Sequence, residues 1–200
     1  MALAAGPTPP PVCSPRRTEE ALLAATVALL VEGTPFVSLS VLSIARRAGV
    51  TRTTFYAYFH DKSALALRLG EVVEDEIAAA AADWLRASRG ELRTTLVTTF
   101  AVFVRHRAAI GALVDAAAQD RQVAMFWRTL HERFADAARA RLTSDVPGLP
   151  PELAEARAFA LVWATERCFT EHLFAPRVDE TALVDTLELL WAAALQPVPR

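Results

Sequence analysis

Between Ser40 and Lys62 the chain reads SVLSIARRAGVTRTTFYAYFHDK, two short helical patterns parted by one glycine. Val41, Ile44, Ala45 and Ala48 share one apolar helical face. Ser40 stands where its hydroxyl can accept from a free N–H of the first turn. Gly49 is the residue best able to take the left-handed conformation that closes a helix. Thr51 caps a second helix from Arg52 to about Phe59, with Val50 and Phe55 at the spacing of a hydrophobic staple. The pattern predicts a helix-turn-helix.

The second helix has two faces. Phe55 and Phe59, four apart, anchor it to a core. Thr53 and Ala57 point the other way, flanked by Arg52, Thr54, Tyr56 and His60. Donors, phenols and one small apolar patch suit the edges of bases in a major groove. Asp61 can cap the next helix, which leaves Lys62 in its first turn. A cation there opposes the helix dipole, so a reason outside the helix is required, and a phosphate would supply one.

The run IARRAGVTRTTFYAYFHDKSAL resembles the N-terminal signature of the TetR family of one-component transcriptional repressors in order, spacing and caps. The resemblance implies that the first helix of the pair supports and the second enters the major groove of a double-stranded DNA operator. It implies base contacts from Arg52, Thr53, Thr54 and Ala57, and phosphate contacts from Tyr56, Tyr58 and Lys62. The cap residues Ser40 and Thr51 belong to the same DNA-facing set. Leu42 departs from the pattern: relatives often place a polar or basic residue there, so a contact sometimes made at that position is expected to be absent.

Net charge of −2 looks wrong for a DNA binder until the chain is divided. Residues 1–70 hold seven basic groups against four acidic ones, whereas residues 71–200 hold fourteen against nineteen. That asymmetry assigns nucleic acid to the N-terminal part. The hydrophobic share of 53% supports a sizeable helical core. Cys13 falls in a Pro-rich tail and Cys168 inside a helical pattern, which is no disulfide framework. The apolar run Ala21–Val31 is too short for a bilayer and no secretory signal is evident, so a cytoplasmic protein without a membrane partner is expected.

An all-α fold of about nine helices is expected, a three-helix bundle carrying the helix-turn-helix followed by a larger helical body. Residues 1–15 read as a disordered tail, 16–62 as the DNA-binding domain and 63–200 as an effector-binding and dimerisation domain. Arg16 and Arg17 fit either a minor-groove arm or a solvated helix start. The first helix runs from about Thr18 to Glu32, and Phe36 and Leu39 plug the following loop into the core. The fourth follows Asp61, with Glu71, Glu74, Asp75 and Glu76 as a solvated face. Gly90 breaks the pattern before helices at about Glu91–His106, Ala108–Ala118 and Asp120–Leu142. TSDVPGLPP is the one long loop of the body; an eighth helix then spans Pro151 to about Phe174, and Asp179 caps a ninth.

The four histidines fall on different helices without ligand spacing, and no nucleophile has a base in a recognisable motif. No catalytic residue, metal site or cofactor is therefore assigned, and an enzyme is not expected. Aromatics with a few polar groups do describe an apolar ligand site, with Phe100, Phe103, Trp127, His131, Phe134, Thr165, Phe169 and Trp191 as candidate walls. With no Lys in the body and His131 neutral, those walls carry no formal charge, which favours a neutral lipophilic effector. The segments ATERCFTEHLF and LVDTLELLW are similar to the TetR branch typified by the ethionamide-resistance repressor, whose ligand-facing Asn residues correspond here to Val162 and Thr165. The family resemblance further implies a homodimer through helices 8 and 9, for which Leu187 and Leu190 are candidate contacts. The expected protein is a repressor released from a palindromic operator by a small lipophilic effector. A helical carrier of hydrophobic ligands without DNA binding is the alternative.

Overall fold

In the computed structural model, residues 15–87 and 91–197 are described, and among them there are nine α-helices and no strand. They are α1 (Pro15–Val31), α2 (Val41–Arg47), α3 (Arg52–Tyr58), α4 (Lys62–Ala87), α5 (Leu92–Arg105), α6 (Arg107–Ala117), α7 (Arg121–Asp145), α8 (Pro151–Phe174) and α9 (Glu180–Ala194). The expected all-α architecture is what the chain adopts. The tail up to Ser14, Cys13 within it, and the Gly90 break lie outside the described residues.

One device closes both α1 and α2. The amide of Val50 donates to the Ala45 carbonyl at 2.9 Å and that of Gly49 to Arg46 at 3.1 Å, with Gly49 at φ +70°. Gly33, at φ +91°, does the same for α1, whose Leu29 and Leu30 carbonyls accept from Thr34 and Gly33. These paired bonds satisfy last-turn carbonyls that no helical N–H can reach. At the start of α2, Ser40 and Ser43 form a reciprocal capping box. Asp61 accepts from the amide of Ala64 at 2.8 Å, as its place before α4 predicts.

α1 packs on α2 and α2 on α3, while α4 passes from that bundle into the body and packs against α5, α6 and α7. α7 and α8 form the most extensive pairing in the body, and α9 lies against α5 and α8. Phe36, in a short 3-10 turn (Phe36–Ser38), and Leu39 are both buried, so the loop after α1 is plugged into the core as expected. That turn and α1 both rest on α6, which joins the N-terminal bundle to the body beside α4.

Several expectations are corrected. α1 begins at Pro15, so Arg16 and Arg17 form a solvated helix start, with Arg16 paired to Glu20 at 3.3 Å. A proline in the first turn costs no hydrogen bond, which lets the helix begin earlier than its pattern. α7 continues through TSD to Asp145, where Arg141 pairs with Asp145 one turn on, and the loop shrinks to VPGLP. His60 and His106 stand in turns rather than on helices. The acidic face of α4 is not simply solvated. Glu71 pairs with Arg68, Glu74 with Arg133 of α7, and Glu76 with Arg105 and His106 at the end of α5. Burial alone would raise the Glu76 carboxyl, but hydrogen bonds from His106 and Arg105 hold it below its usual range. Among the described residues no group of side chains is suited to holding a metal ion.

Candidate DNA-reading face and ligand cavity

Phe55 is completely buried and Phe59 nearly so, their rings 5.7 Å apart. Burial of one such ring is worth about 2–3 kcal/mol, enough to fix the roll of a seven-residue helix against its support. With Phe55 inward, Arg52, Thr53, Tyr56 and Ala57 are exposed, while Thr54 and Tyr58 are half-buried. Thr51 accepts from the Thr54 amide at 3.0 Å, and the two hydroxyls lie 2.8 Å apart. The Arg52 guanidinium lies 5.6 Å from the Tyr56 ring and donates to its hydroxyl at 3.4 Å. The outer face is thus a cation and a phenol held together, beside the small side chains of Thr53 and Ala57.

Ser40 and Leu42 are exposed at the start of α2, and Leu42 offers no polar atom there. At the other end of α2, Arg47 grips Glu32 with two hydrogen bonds, at 2.6 and 3.1 Å. Arg68 of α4 reaches back to Glu19 of α1 at 2.7 Å. These ties set the bundle on α4. Lys62 donates to the carbonyls of Phe36 and Val37, at 3.3 and 3.1 Å. Those two acceptors explain a cation at the start of α4 without any phosphate, a reason that sequence spacing does not reveal.

The body holds a cavity of about 110 Å³ whose inner surface is almost wholly apolar. Ile77, Ala81, Trp84 and Leu85 of α4 line it, with Leu92, Thr95, Leu96, Thr99 and Phe103 of α5. α7 adds Trp127, Leu130, His131 and Phe134; α8 adds Val162, Thr165, Glu166 and Phe169; α9 adds Trp191. Seven of the eight expected wall residues are therefore brought together. Phe100 is the exception. It is buried behind the wall, 4.9 Å from the ring of Phe169 and 5.6 Å from that of His172. A turn earlier or later on α5 reaches the lumen, as Leu96 and Phe103 do.

Two polar groups at the wall are tied to neighbours. Thr165 accepts from the Trp191 indole N–H at 2.9 Å, which ties α9 to α8. His131 Nδ1 lies 2.7 Å from the Trp127 carbonyl, an acceptor, so Nδ1 carries the proton. Its ring stacks on Trp163 at 4.1 Å and is fully enclosed. Glu166 also lines the cavity, which corrects the expectation of walls without formal charge. Among the wall residues missed in the sequence, the α4 positions follow from its apolar stripe. Glu166 carried no such signal, since an acidic residue on a helix is ordinarily a solvated one.

The stripes of α8 and α9 divide in an unexpected way. Leu187 is 2% exposed and belongs to this protomer's own core, which removes it from any interface; Leu189 and Leu190 are 70% and 49% exposed. On α8, Phe159 is exposed as well. Among the described residues no single helix is long and apolar enough to cross a membrane.

A capped helix-turn-helix with an open outer face, set by one long helix on a larger helical body, is the plan of a DNA-binding transcriptional regulator. Comparison with known proteins identifies the lineage. The sequence model of the bacterial regulatory proteins of the tetR family matches residues 22–69, and that of the C-terminal domain of the transcriptional regulator EthR matches residues 92–196. The chain is 30% identical over 192 residues to the HTH-type transcriptional regulator EthR of Mycobacterium tuberculosis, covering 88% of this chain and 86% of that protein. For the EthR of Mycolicibacterium smegmatis the figures are 28% over 187 residues, 86% and 83%. The fold is similar to that of a TetR-family regulator from Syntrophomonas wolfei, with a TM-score of 0.73, 13% identity, and 90% and 95% of the two chains covered. It is also similar to that of a Rhodococcus regulator, with a TM-score of 0.67, 20% identity, and 91% and 96% covered. The chain belongs to the TetR family of helix-turn-helix transcriptional regulators and is of the EthR type.

Proposed function

We propose that the protein is a homodimeric repressor that binds a palindromic operator and is released from it by a small lipophilic effector. Residues 16–62 form the DNA-binding domain in this reading, and residues 63–200 bind the effector and the second protomer. The observation that carries the DNA half is the orientation of α3, with Phe55 at 0% exposure and Arg52, Thr53, Tyr56 and Ala57 left to solvent. Thr53 and Ala57 read base edges, with Arg52 and Thr54 beside them. Tyr56, Tyr58 and Lys62 hold phosphates, and Ser40 and Thr51 lie where cap hydroxyls border the backbone. Lys62 uses two of its three N–H donors on carbonyls, so one remains for a phosphate.

The apolar cavity supports the effector half. It lies between α4, which carries the reading bundle, and α7, α8 and α9 of the body. A molecule that widens it displaces α4. The exposed apolar residues Phe159, Leu189 and Leu190 support a second protomer on α8 and α9. Selection of binding sites from a random duplex pool tests the reading. A two-fold symmetric consensus bound in a salt-dependent way is expected, because protein symmetry is copied in the site. Failure to enrich any sequence would remove the repressor and leave a carrier of hydrophobic ligands.

A further inference from the structure

We infer that the hydrogen bond between Trp191 and Thr165 is a latch that sets the size limit of the cavity, so that the effector is a compact apolar molecule of about one ring. The inference rests on the cavity being the effector site. It makes Thr165 a positioning residue, which acts on the ligand through Trp191 rather than by a bond of its own. The inner surface is almost wholly apolar, so a ligand is selected there by size and shape. A cavity of about 150 Å³ holds benzene, and this one is about 110 Å³. Anything longer than a single ring has to displace a wall.

The walls are not equally free to move. Phe169 is wedged against Phe100 and Phe103, with ring centres at 4.9 and 5.5 Å. Trp84 is covered by the Arg141 guanidinium, 4.9 Å from its ring, and the same group donates to the Trp84 carbonyl. Trp191 is held differently. Its ring meets Trp84 edge-on at 5.2 Å, and its N–H donates to Thr165 Oγ1 at 2.9 Å. α9 packs on α5 and α8 and, among the described residues, gives the wall this one side chain. Trp191 is buried, so a swing that breaks the bond leaves an enclosed N–H without its acceptor. That loss lowers the population of the swung state by about tenfold. A compact ligand leaves the latch closed, whereas a longer one has to open it.

Benzene and n-propylbenzene are the probes. The three added methylenes would by transfer alone tighten binding roughly fiftyfold. Affinities are read from the tryptophan fluorescence of the full chain, since Trp84, Trp127 and Trp191 line the cavity. The wild-type protein is expected to bind propylbenzene no tighter than benzene. Thr165→Val keeps the shape of the side chain but removes the acceptor, and is expected to shift the ratio about tenfold toward propylbenzene. Thr165→Ser keeps the hydroxyl and is expected to hold the wild-type ratio. Trp191→Phe removes the donor instead and is expected to shift the ratio as Thr165→Val does, which serves if the latter does not fold. A wild type that binds propylbenzene clearly tighter overturns the size limit but keeps the cavity as a ligand site, and that comparison needs no variant. An unchanged ratio in Thr165→Val or Trp191→Phe, in a variant that still binds benzene, overturns the latch. So does an equal shift in Thr165→Ser. Binding of neither probe by the wild type removes the effector site together with its latch.

Discussion

The ring of Phe126 lies so close over Gly70 that a Cβ at Gly70 would stand 2.6 Å from its Cε1. Gly70 sits on α4 between Leu65 and Leu69, buried with the reading bundle, and Ile77 and Ala81 at the cavity. Phe126 precedes Trp127, a wall residue. A tight contact of α7 on α4 therefore falls between the two sites. Gly70→Ala gains at most about 1 kcal/mol of helix propensity. Overpacking against Phe126 and Leu113 costs about 1–3 kcal/mol. A net loss of stability in denaturant unfolding is expected; a variant more stable than wild type would show that the contact yields freely.

Base and phosphate contacts separate by what they do to sequence preference. Tyr56→Phe is expected to weaken binding to operator and scrambled duplex alike, and Thr53→Ala to change which operator is preferred, by about 1–3 kcal/mol at one position. Competition binding on both duplexes checks this. Uniform loss in both variants would reject Thr53 as a reader.

The two leucines of α9 predict opposite failures. Leu190→Glu places charge on an exposed apolar residue and is expected to give a folded monomer. Leu187→Glu places it in this protomer's core and is expected to lower stability by several kcal/mol. Sedimentation and thermal unfolding distinguish them. A dimeric Leu190→Glu would move the interface off this face of α9.

Asp120, the cap of α7, is held below its usual carboxylate range by hydrogen bonds from the Ser63 hydroxyl and the Gln122 amide. Its folded pKa lies below its unfolded one, so its contribution to stability is present above the unfolded value of about 3.9 and fades as pH falls through the folded value. Asp120→Ala is expected to melt below wild type at pH 7, with the gap closing in acid. A gap unchanged at pH 3 would show that its charge is idle.

The helix-turn-helix was readable because each of its signals is local. Ser40, Gly49 and Thr51 act within one turn of themselves, and Phe55 and Phe59 set a face by spacing alone. The walls at Phe103, Trp127 and Phe169 followed from size and apolarity. What escaped depends on partners distant in sequence. Phe100 and Phe103 are alike in type, yet only the register of α5 against α8 puts one behind the wall and one upon it. Leu187 and Leu190 differ by less than one helical turn, and only the packing of α9 decides which faces inward. The carbonyl partners of Lys62 at Phe36 and Val37 lie far back in the chain, so spacing shows the phosphate reading of Lys62 but not the two acceptors it also serves.

The central claim is that the cavity and the reading face are two ends of one equilibrium. A lipophile that fills the cavity, titrated by calorimetry with and without the selected operator duplex, measures their coupling. Linkage requires that DNA weaken ligand binding by the same factor by which ligand weakens DNA binding, typically about 5–150-fold. The account predicts that equality; the same ligand affinity in both titrations would contradict it.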